Sequence, residues 1–460
     1  MPRSLPHSLR LHLLGLVGLS LMAGCGTSPV VPTGPSGSED FGASGRRKLG
    51  GAAYADFRIA PVLPRVEDTR RAVKLTYLMT DDTKHQSPQS LGMLKMLDDM
   101  PQSKVHNLVF RDGKEQGDAR LHYLQAADRD PDTIKNPGSP LAPGVTEVAS
   151  NHPKVFSQVL GYALDQYPAR RKYLQIYTHG GGVFGIGTDE NQTDLAGKPL
   201  PKAEQQPIMR LPELSEALRQ GLKGRTLDAI YFRACLMGNV EALYELRGTT
   251  RYAIASEDVS YSVDNSNLTM TKLFDTLAAA DEEPAELARK LAIAGLGKHS
   301  NAGHNQHSGY VTMAAIDIGR LDELKTALNG LARAVLAALP KERTAILTAY
   351  DAVPNFGEHE KYQRDLWAFT AQLAKHVKDP GVREAVERTR KAQADAMLHE
   401  KDGYGSAANG LSILLPPRTL AAKERAALQQ FVKTRYQDTR FAKDSAWDDM
   451  LTAVNADAKE

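Results

Sequence analysis

KYLQIYTHGGGVFG, residues 172–185, decides the fold. Lys172 to Thr178 form a mainly apolar, β-rich run, and His179-Gly180-Gly181-Gly182 break it. A strand ending in a histidine and three glycines puts a titratable ring at a sheet edge, beside main chain that carries no Cβ. A second stretch has the same plan. LDAIYFRA (227–234) reads as a strand and runs into Cys235-Leu236-Met237-Gly238.

The surroundings extend the pattern. HPKVFSQVLGYALDQY (152–167) is predicted as a helix, with Pro153 in its first turn and Pro168 as its stop. PELSEALRQGL (212–222) is a helix ended by Gly224, MGNVEALYELR (237–247) another helix, and RYAIAS (251–256) a strand. Upstream, VKLTYLMT (73–80), VHNLVF (105–110) and ARLHYLQ (119–125) read as strands, the last two separated by the turn Asp112-Gly113. Further helices are predicted at 88–100, 267–279 and 284–295. Such alternation implies an α/β domain over 72–319, with a mostly parallel sheet flanked by helices. From 320 to 460 the chain reads as an α-rich region packed on that domain. Its helices fall at 321–338, 342–350, 361–378, 381–399 and 419–435, with one buried strand, GLSILLP (410–416). Trp367 and Phe369 read as core.

The chain has 460 residues, 42% of them hydrophobic and 24% charged, which suits a globular protein. Arg3 and Arg10 precede the apolar run LHLLGLVGLSLMAGC, the layout of a secretory leader over 1–24. The run falls short of the ~20 apolar residues that span a bilayer. Leu21-Met22-Ala23-Gly24-Cys25 resembles a bacterial lipobox, which implies cleavage before Cys25 and acylation of its thiol. The alternative is a plain secretory leader with an incidental cysteine. More than one acyl chain anchors stably. The Gly, Ser, Thr and Pro after Cys25 make a flexible tether, so 25–71 reads as lipid attachment and linker. Losing 1–24 removes two arginines and no acid, so the formal charge falls from +2 to zero. No nucleic-acid footprint remains. The expected location is the cell envelope, and the outer membrane in a two-membrane cell, because Gly26 supplies no inner-membrane retention signal.

The sequence holds two cysteines, Cys25 and Cys235. A lipidated Cys25 leaves Cys235 without an intramolecular partner, as either a reactive thiol or an inert buried one. In open α/β sheets, sites form outside the carboxyl ends of the strands. Topology thus brings His179 and Cys235 together although 56 positions separate them (235 − 179). A thiol with a pKa near ~8.5 is only partly ionised at neutral pH, and an adjacent imidazole favours the thiolate. The helix predicted from 237 would add its N-terminal dipole. Attack on a carbonyl creates an oxyanion, for which the amides of Gly180 and Cys235 are the candidate donors.

At these residues the sequence resembles the clostripain-like cysteine peptidases, a family with a caspase-like fold. The matching stretches are YPARRKYLQIYTHGGG (167–182) and ACLMGNVEALYEL (234–246), with weaker matches at AIASED (253–258), TMAAIDIGRLDEL (312–324) and NGLSILLP (409–416). The resemblance spans about 73 to 417. It implies His179 as base, Cys235 as nucleophile, Gly180 in the oxyanion hole, and hydrolysis of peptides or proteins through a thioester. It also implies activation by internal cleavage, for which the loops at 126–150 and 183–208 are the most cleavable segments. Caspases likewise have a His roughly 50 residues before the Cys. One departure stands out. The family usually has Asp two residues before the nucleophile, where it receives a basic substrate side chain, and here that residue is Arg233. A guanidinium there would repel Arg or Lys and could bind a carboxylate, so cleavage after an acidic or uncharged residue is expected. The alternative is that Glu257 or Asp258, emerging from the next strand, neutralises Arg233. A rival function is a non-catalytic envelope lipoprotein using the fold as a binding module.

Other signals point to structure. Gly180–Gly185 spells GxGxxG after a strand, but a loop follows where dinucleotide binding needs a helix. His299, His304 and His307 read as a solvated loop, with metal binding as the alternative. Asp189, Glu190, Asn191 and Asp194 read as a polar surface loop lacking the EF-hand pattern. Calcium occurs in some relatives, which makes an irregular calcium site the alternative there; otherwise no cofactor is expected. Asp81-Asp82 read as a helix cap.

Overall fold

The computed structural model describes residues 53–66, 69–79, 86–100, 104–124, 134, 136–202, 204–258, 266–298, 310–356, 361–399 and 408–456. The lipobox, Asp81-Asp82 and the three histidines at 299–307 lie outside them.

Six strands come first in chain order: β1 (Arg70–Met79), β2 (Val105–Asp112), β3 (Arg120–Leu124), β4 (Ala169–Tyr177), β5 (Leu227–Arg233) and β6 (Thr250–Ala255). Short strands β7 (Gly297–Lys298) and β8 (Tyr310–Val311) pair with each other, β9 (Ala314–Asp317) returns to the sheet, and β10 (Gln363–Asp365) pairs with β11 (Ser412–Leu414). Among the described residues the main sheet has seven strands in the order β3-β2-β1-β4-β5-β6-β9. The inner pairings are parallel, and β3 and β9 close the edges antiparallel.

Burial on both faces explains the apolar strands, and β5 is buried along its whole length. Leu174, Ile176, Ile230 and Phe232 pack on one face against α2 (Pro153–Gln166) and α3 (Leu211–Leu222), and α1 (Gln86–Asp98) lies on the other. Tyr173, Ala229 and Tyr231 alternate with them and meet α5 (Ser266–Ala280) and α6 (Pro284–Gly295), separated in sequence from α3 by the short α4 (Val240–Tyr244). The C-terminal helices are α7 (Leu321–Asp351), α8 (Leu366–His376), α9 (Pro380–Ala396), α10 (Ala422–Thr434), α11 (Arg440–Lys443) and α12 (Trp447–Asn455). Leu324, Phe369 and Trp447 from these helices belong to the same apolar cluster as Leu174 and Ile230 of the sheet. Among the described residues no helix is long and apolar enough to cross a membrane.

Several expectations change. The two helices expected at 321–338 and 342–350 are one, kinked where Pro340 removes a helical donor and Glu342 takes φ −119°. The helix expected from 361 begins only at Leu366, because Asp365 caps it by accepting the Ala368 N–H at 2.6 Å. That leaves 363–365 free to form β10. Strand β9 and the terminal helices α11 and α12 were not anticipated. Of the two aromatics assigned to core, Phe369 is buried, whereas Trp367 is 36% exposed and stacks against Arg390.

Candidate active site

Strands β4 and β5 run in parallel, and their last residues, Tyr177 and Arg233, are register partners. Thr178 N–H then donates to the Arg233 carbonyl at 3.3 Å, so the two chains leave the sheet side by side. His179 and Cys235 each stand two residues beyond that pair. Gly180 follows His179 and lies against the Cys235 main chain. A Cβ on Gly180 would collide with the Cys235 carbonyl oxygen and come within 3.0 Å of its nitrogen. His179 is partly exposed, and Cys235 is 2% exposed.

Both turns are held by main-chain bonds. His179 accepts from Gly187 N–H at 2.9 Å, and Gly181 N–H donates to Gly185 at 2.9 Å, closing the loop on itself. Gly182 and Gly185 take φ +57° and +125°, which favour glycine. Only a three-residue 3₁₀ turn, Gly182–Phe184, follows, so the GxGxxG spelling lacks the helix that a dinucleotide site needs. On the other side, Leu236 sits at φ +65°, an uncommon value for a side chain of its size. Its N–H donates to the Asp258 carbonyl at 3.2 Å. That donor is therefore committed, which leaves Gly180 and Cys235 as the expected oxyanion amides.

The predicted helix at 237–247 is largely absent. Helix α4 starts at Val240, capped by Asn239, and ends at Tyr244. Its dipole is short and begins five residues past Cys235, so it does not supply the thiol activation expected of it.

Cys25 lies outside the described residues. Attack requires the Cys235 thiol in its reduced form, because the thiolate is the nucleophile.

Arg233 is 8% exposed, and its guanidinium donates to Tyr231 Oη at 3.0 Å. Among the described residues no carboxylate forms an ion pair with it within 4.0 Å. Of the two residues that the alternative reading gave as neutralisers, Glu257 has its carboxylate engaged elsewhere. Glu257 is 1% exposed, accepts the Gly410 N–H and hydrogen-bonds Asp365, whose carboxyl is pushed up by burial. Glu257 thus serves the join to the C-terminal region, and not the alternative role of neutralising Arg233. The main chain of Asp258 accepts from Leu236 and Ser256 Oγ and donates to Thr312 Oγ1.

The expected acidic surface loop also differs. Asp189 is 6% exposed and accepts from the Ser150 N–H and Oγ, because it ties its loop to the start of α2. Asp194 closes a turn by accepting from Ala196 and Lys198. The acids that do cluster among the described residues are Asp112, Asp118 and Glu147, with oxygens within 4.8 Å of one another. Asp118 pairs with Arg111 at 3.0 Å and accepts the Gly113 N–H.

The clostripain family profile matches residues 141–453, which includes both turns. A search of curated proteins gave no match. Among solved structures, the chain resembles an inactive protease zymogen from Parabacteroides distasonis at 15% identity and a TM-score of 0.54, covering 82% of this chain and 99% of that one. It also resembles iotapain, a secreted cysteine protease from Bacteroides thetaiotaomicron, at 15% identity and 0.53, with coverage of 83% and 100%. A secreted cysteine protease from Bacteroides thetaiotaomicron in complex with an irreversible peptide inhibitor gives 16% and 0.51, with coverage of 82% and 99%. Likeness at this identity supports the fold, the mostly parallel sheet with flanking helices and an α-rich C-terminal region. The family match supports the class of activity: the chain belongs to the clostripain family of cysteine peptidases.

Proposed function

We propose that Cys235 is the nucleophile and His179 the general base of a peptide-bond hydrolysis. The observation that carries this is the register of β4 and β5, which sends both residues out of the sheet beside each other with Gly180 on the Cys235 main chain. His179 takes the thiol proton, and the thiolate attacks the scissile carbonyl carbon. The oxyanion forms against the amides of Gly180 and Cys235. As the C–N bond breaks, His179 returns the proton to the leaving amine, leaving a thioester. A water molecule, deprotonated by His179, then attacks the thioester and releases the acid and Cys235.

Arg233 sets the preference for the residue before the scissile bond. A buried cation without a carboxylate partner costs several kcal/mol, and a substrate carboxylate would offset that cost. Cleavage after Asp or Glu is expected, and cleavage after Arg or Lys is disfavoured. A fluorogenic panel with Asp, Glu, Arg, Lys and Ala at that position tests this, and strong cleavage after Arg would overturn it.

The mature chain begins at lipidated Cys25 and is held in the cell envelope. Internal cleavage falls in the loop before α3, where Lys198, Pro199, Pro201, Lys202 and Glu204 are exposed. Intact-mass analysis of the envelope-extracted protein reads both features.

A further inference from the structure

The two catalytic turns are both bonded to one ribbon that sits more than a hundred residues later in the chain. Gln363 of β10 is fully buried, with its side-chain amide inside the loop that follows His179. Its Oε1 accepts the Val183 N–H at 2.9 Å, and its Nε2 donates to the Gly181 carbonyl at 3.2 Å. These two bonds fix which end of the amide is which, because only one end can accept and only the other can donate. Gly182 lies between them. A Cβ there would collide with Gln363 Oε1 on one side and meet the Leu236 carbonyl at 2.8 Å on the other. The His179 loop is thus pressed between the Gln363 amide and the turn that carries Cys235.

The neighbouring strand holds the second turn. Ser412 of β11 donates its N–H to the Gly238 carbonyl at 2.9 Å. Strands β10 and β11 are paired in register, Gln363 with Leu414 and Asp365 with Ser412. The ribbon is itself anchored from behind. Trp447 Nε1 donates to the Leu414 carbonyl at 2.8 Å, and the Leu414 N–H donates to Glu241 Oε1 at 3.1 Å. A single rigid unit therefore sets the spacing between base and nucleophile.

We infer that Gln363 is a positioning residue for the peptidase reaction, holding the His179–Gly180 loop against the Cys235 turn through its two amide hydrogen bonds. This rests on the assignment of His179 and Cys235 above. Both of these amide bonds go to main-chain groups of the loop. Gln363 acts by fixing that loop, and displacements of about 1 Å at such a loop cost on the order of 10²-fold in rate.

The test uses the reduced full-length protein and two variants. Gln363→Met keeps the length of the side chain and loses both hydrogen bonds, and Gln363→Glu keeps the acceptor and loses the donor. Folding is checked by near-ultraviolet circular dichroism. Two measurements follow: the pH midpoint for alkylation of Cys235 by iodoacetamide, and inactivation by a peptidyl acyloxymethyl ketone. The parent is expected to alkylate with a midpoint below that of His179→Ala. Both Gln363 variants should move the midpoint towards His179→Ala and lower kinact by ~10²-fold, with KI within about threefold of the parent. Folded variants that keep the parent midpoint and kinact would overturn the inference and leave the catalytic pair standing. A parent midpoint equal to that of His179→Ala would overturn the catalytic pair and the inference with it.

Discussion

Gly180 lies on the main chain of Cys235 so closely that no Cβ fits between them. The contact joins the residue after the base to the nucleophile itself, and it makes position 180 intolerant of any side chain. Gly180→Ala should leave the sheet intact, because the residue stands beyond the end of β4. It should force the two turns apart and misplace the oxyanion amides. A loss of ~10²–10³-fold in kcat is expected, together with a lowered thermal midpoint, because the clash is with main chain. Steady-state kinetics together with a thermal melt check both halves.

Arg233 gives a second prediction. Its guanidinium is buried on Tyr231 without a carboxylate partner among the described residues. Losing a charged hydrogen bond to a substrate carboxylate costs ~1.5–3 kcal/mol. Arg233→Ala should therefore lower kcat/KM for a substrate with Asp before the scissile bond by roughly 10–100-fold. The same variant should change cleavage of the Ala substrate far less. Competition between the two fluorogenic peptides reads the ratio directly.

A third concerns pH and the ribbon behind the site. Burial pushes the Glu241 carboxyl up from 4.5 to about 7, while its Oε1 accepts from Leu414 N–H and Tyr436 Oη, both at 3.1 Å. A carboxyl raised in the fold holds its proton better folded than unfolded. Its contribution to stability is thus full below pH ~4.5 and is lost as pH rises through about 7. The loss is on the order of 3 kcal/mol. Glu241→Gln keeps the acceptor and cannot ionise, so it should be more stable than the parent at pH 8 and similar to it at pH 4.5. Urea unfolding at the two values compares them, and an equal difference at both would contradict the assignment.

Much of this was legible in the chain, for reasons that differ by element. The core strands announced themselves because burial on both faces demands continuous apolar runs, and LDAIYFRA is one. His179 and Cys235 could be placed at one edge because parallel strands put all their carboxyl ends on the same side. Strand β10 stayed hidden because Gln363-Arg364-Asp365 are polar, and they flow into the apolar spacing of α8. The helix after Cys235 looked long because VEALYELR has helical composition. The chain instead stays extended at Asn239, which caps the helix only at Val240 by accepting the Ala242 N–H. Glu257 looked like a partner for Arg233 because the two end adjacent strands. Gly238 leaves room for the Glu257 main chain, which a Cβ on Gly238 would meet at 2.7 Å, and its carboxylate turns to Gly410. Contacts between residues 150 or more positions apart leave no periodic trace in a sequence.

The most direct test of the central claim is labelling of the reduced, fully processed protein with an electrophilic peptide probe, followed by mass mapping. The account predicts a single modification on Cys235 that disappears in His179→Ala, while that variant keeps its folded circular dichroism spectrum. Equal labelling of Cys235 in parent and His179→Ala, or no labelling of the folded parent, would contradict it.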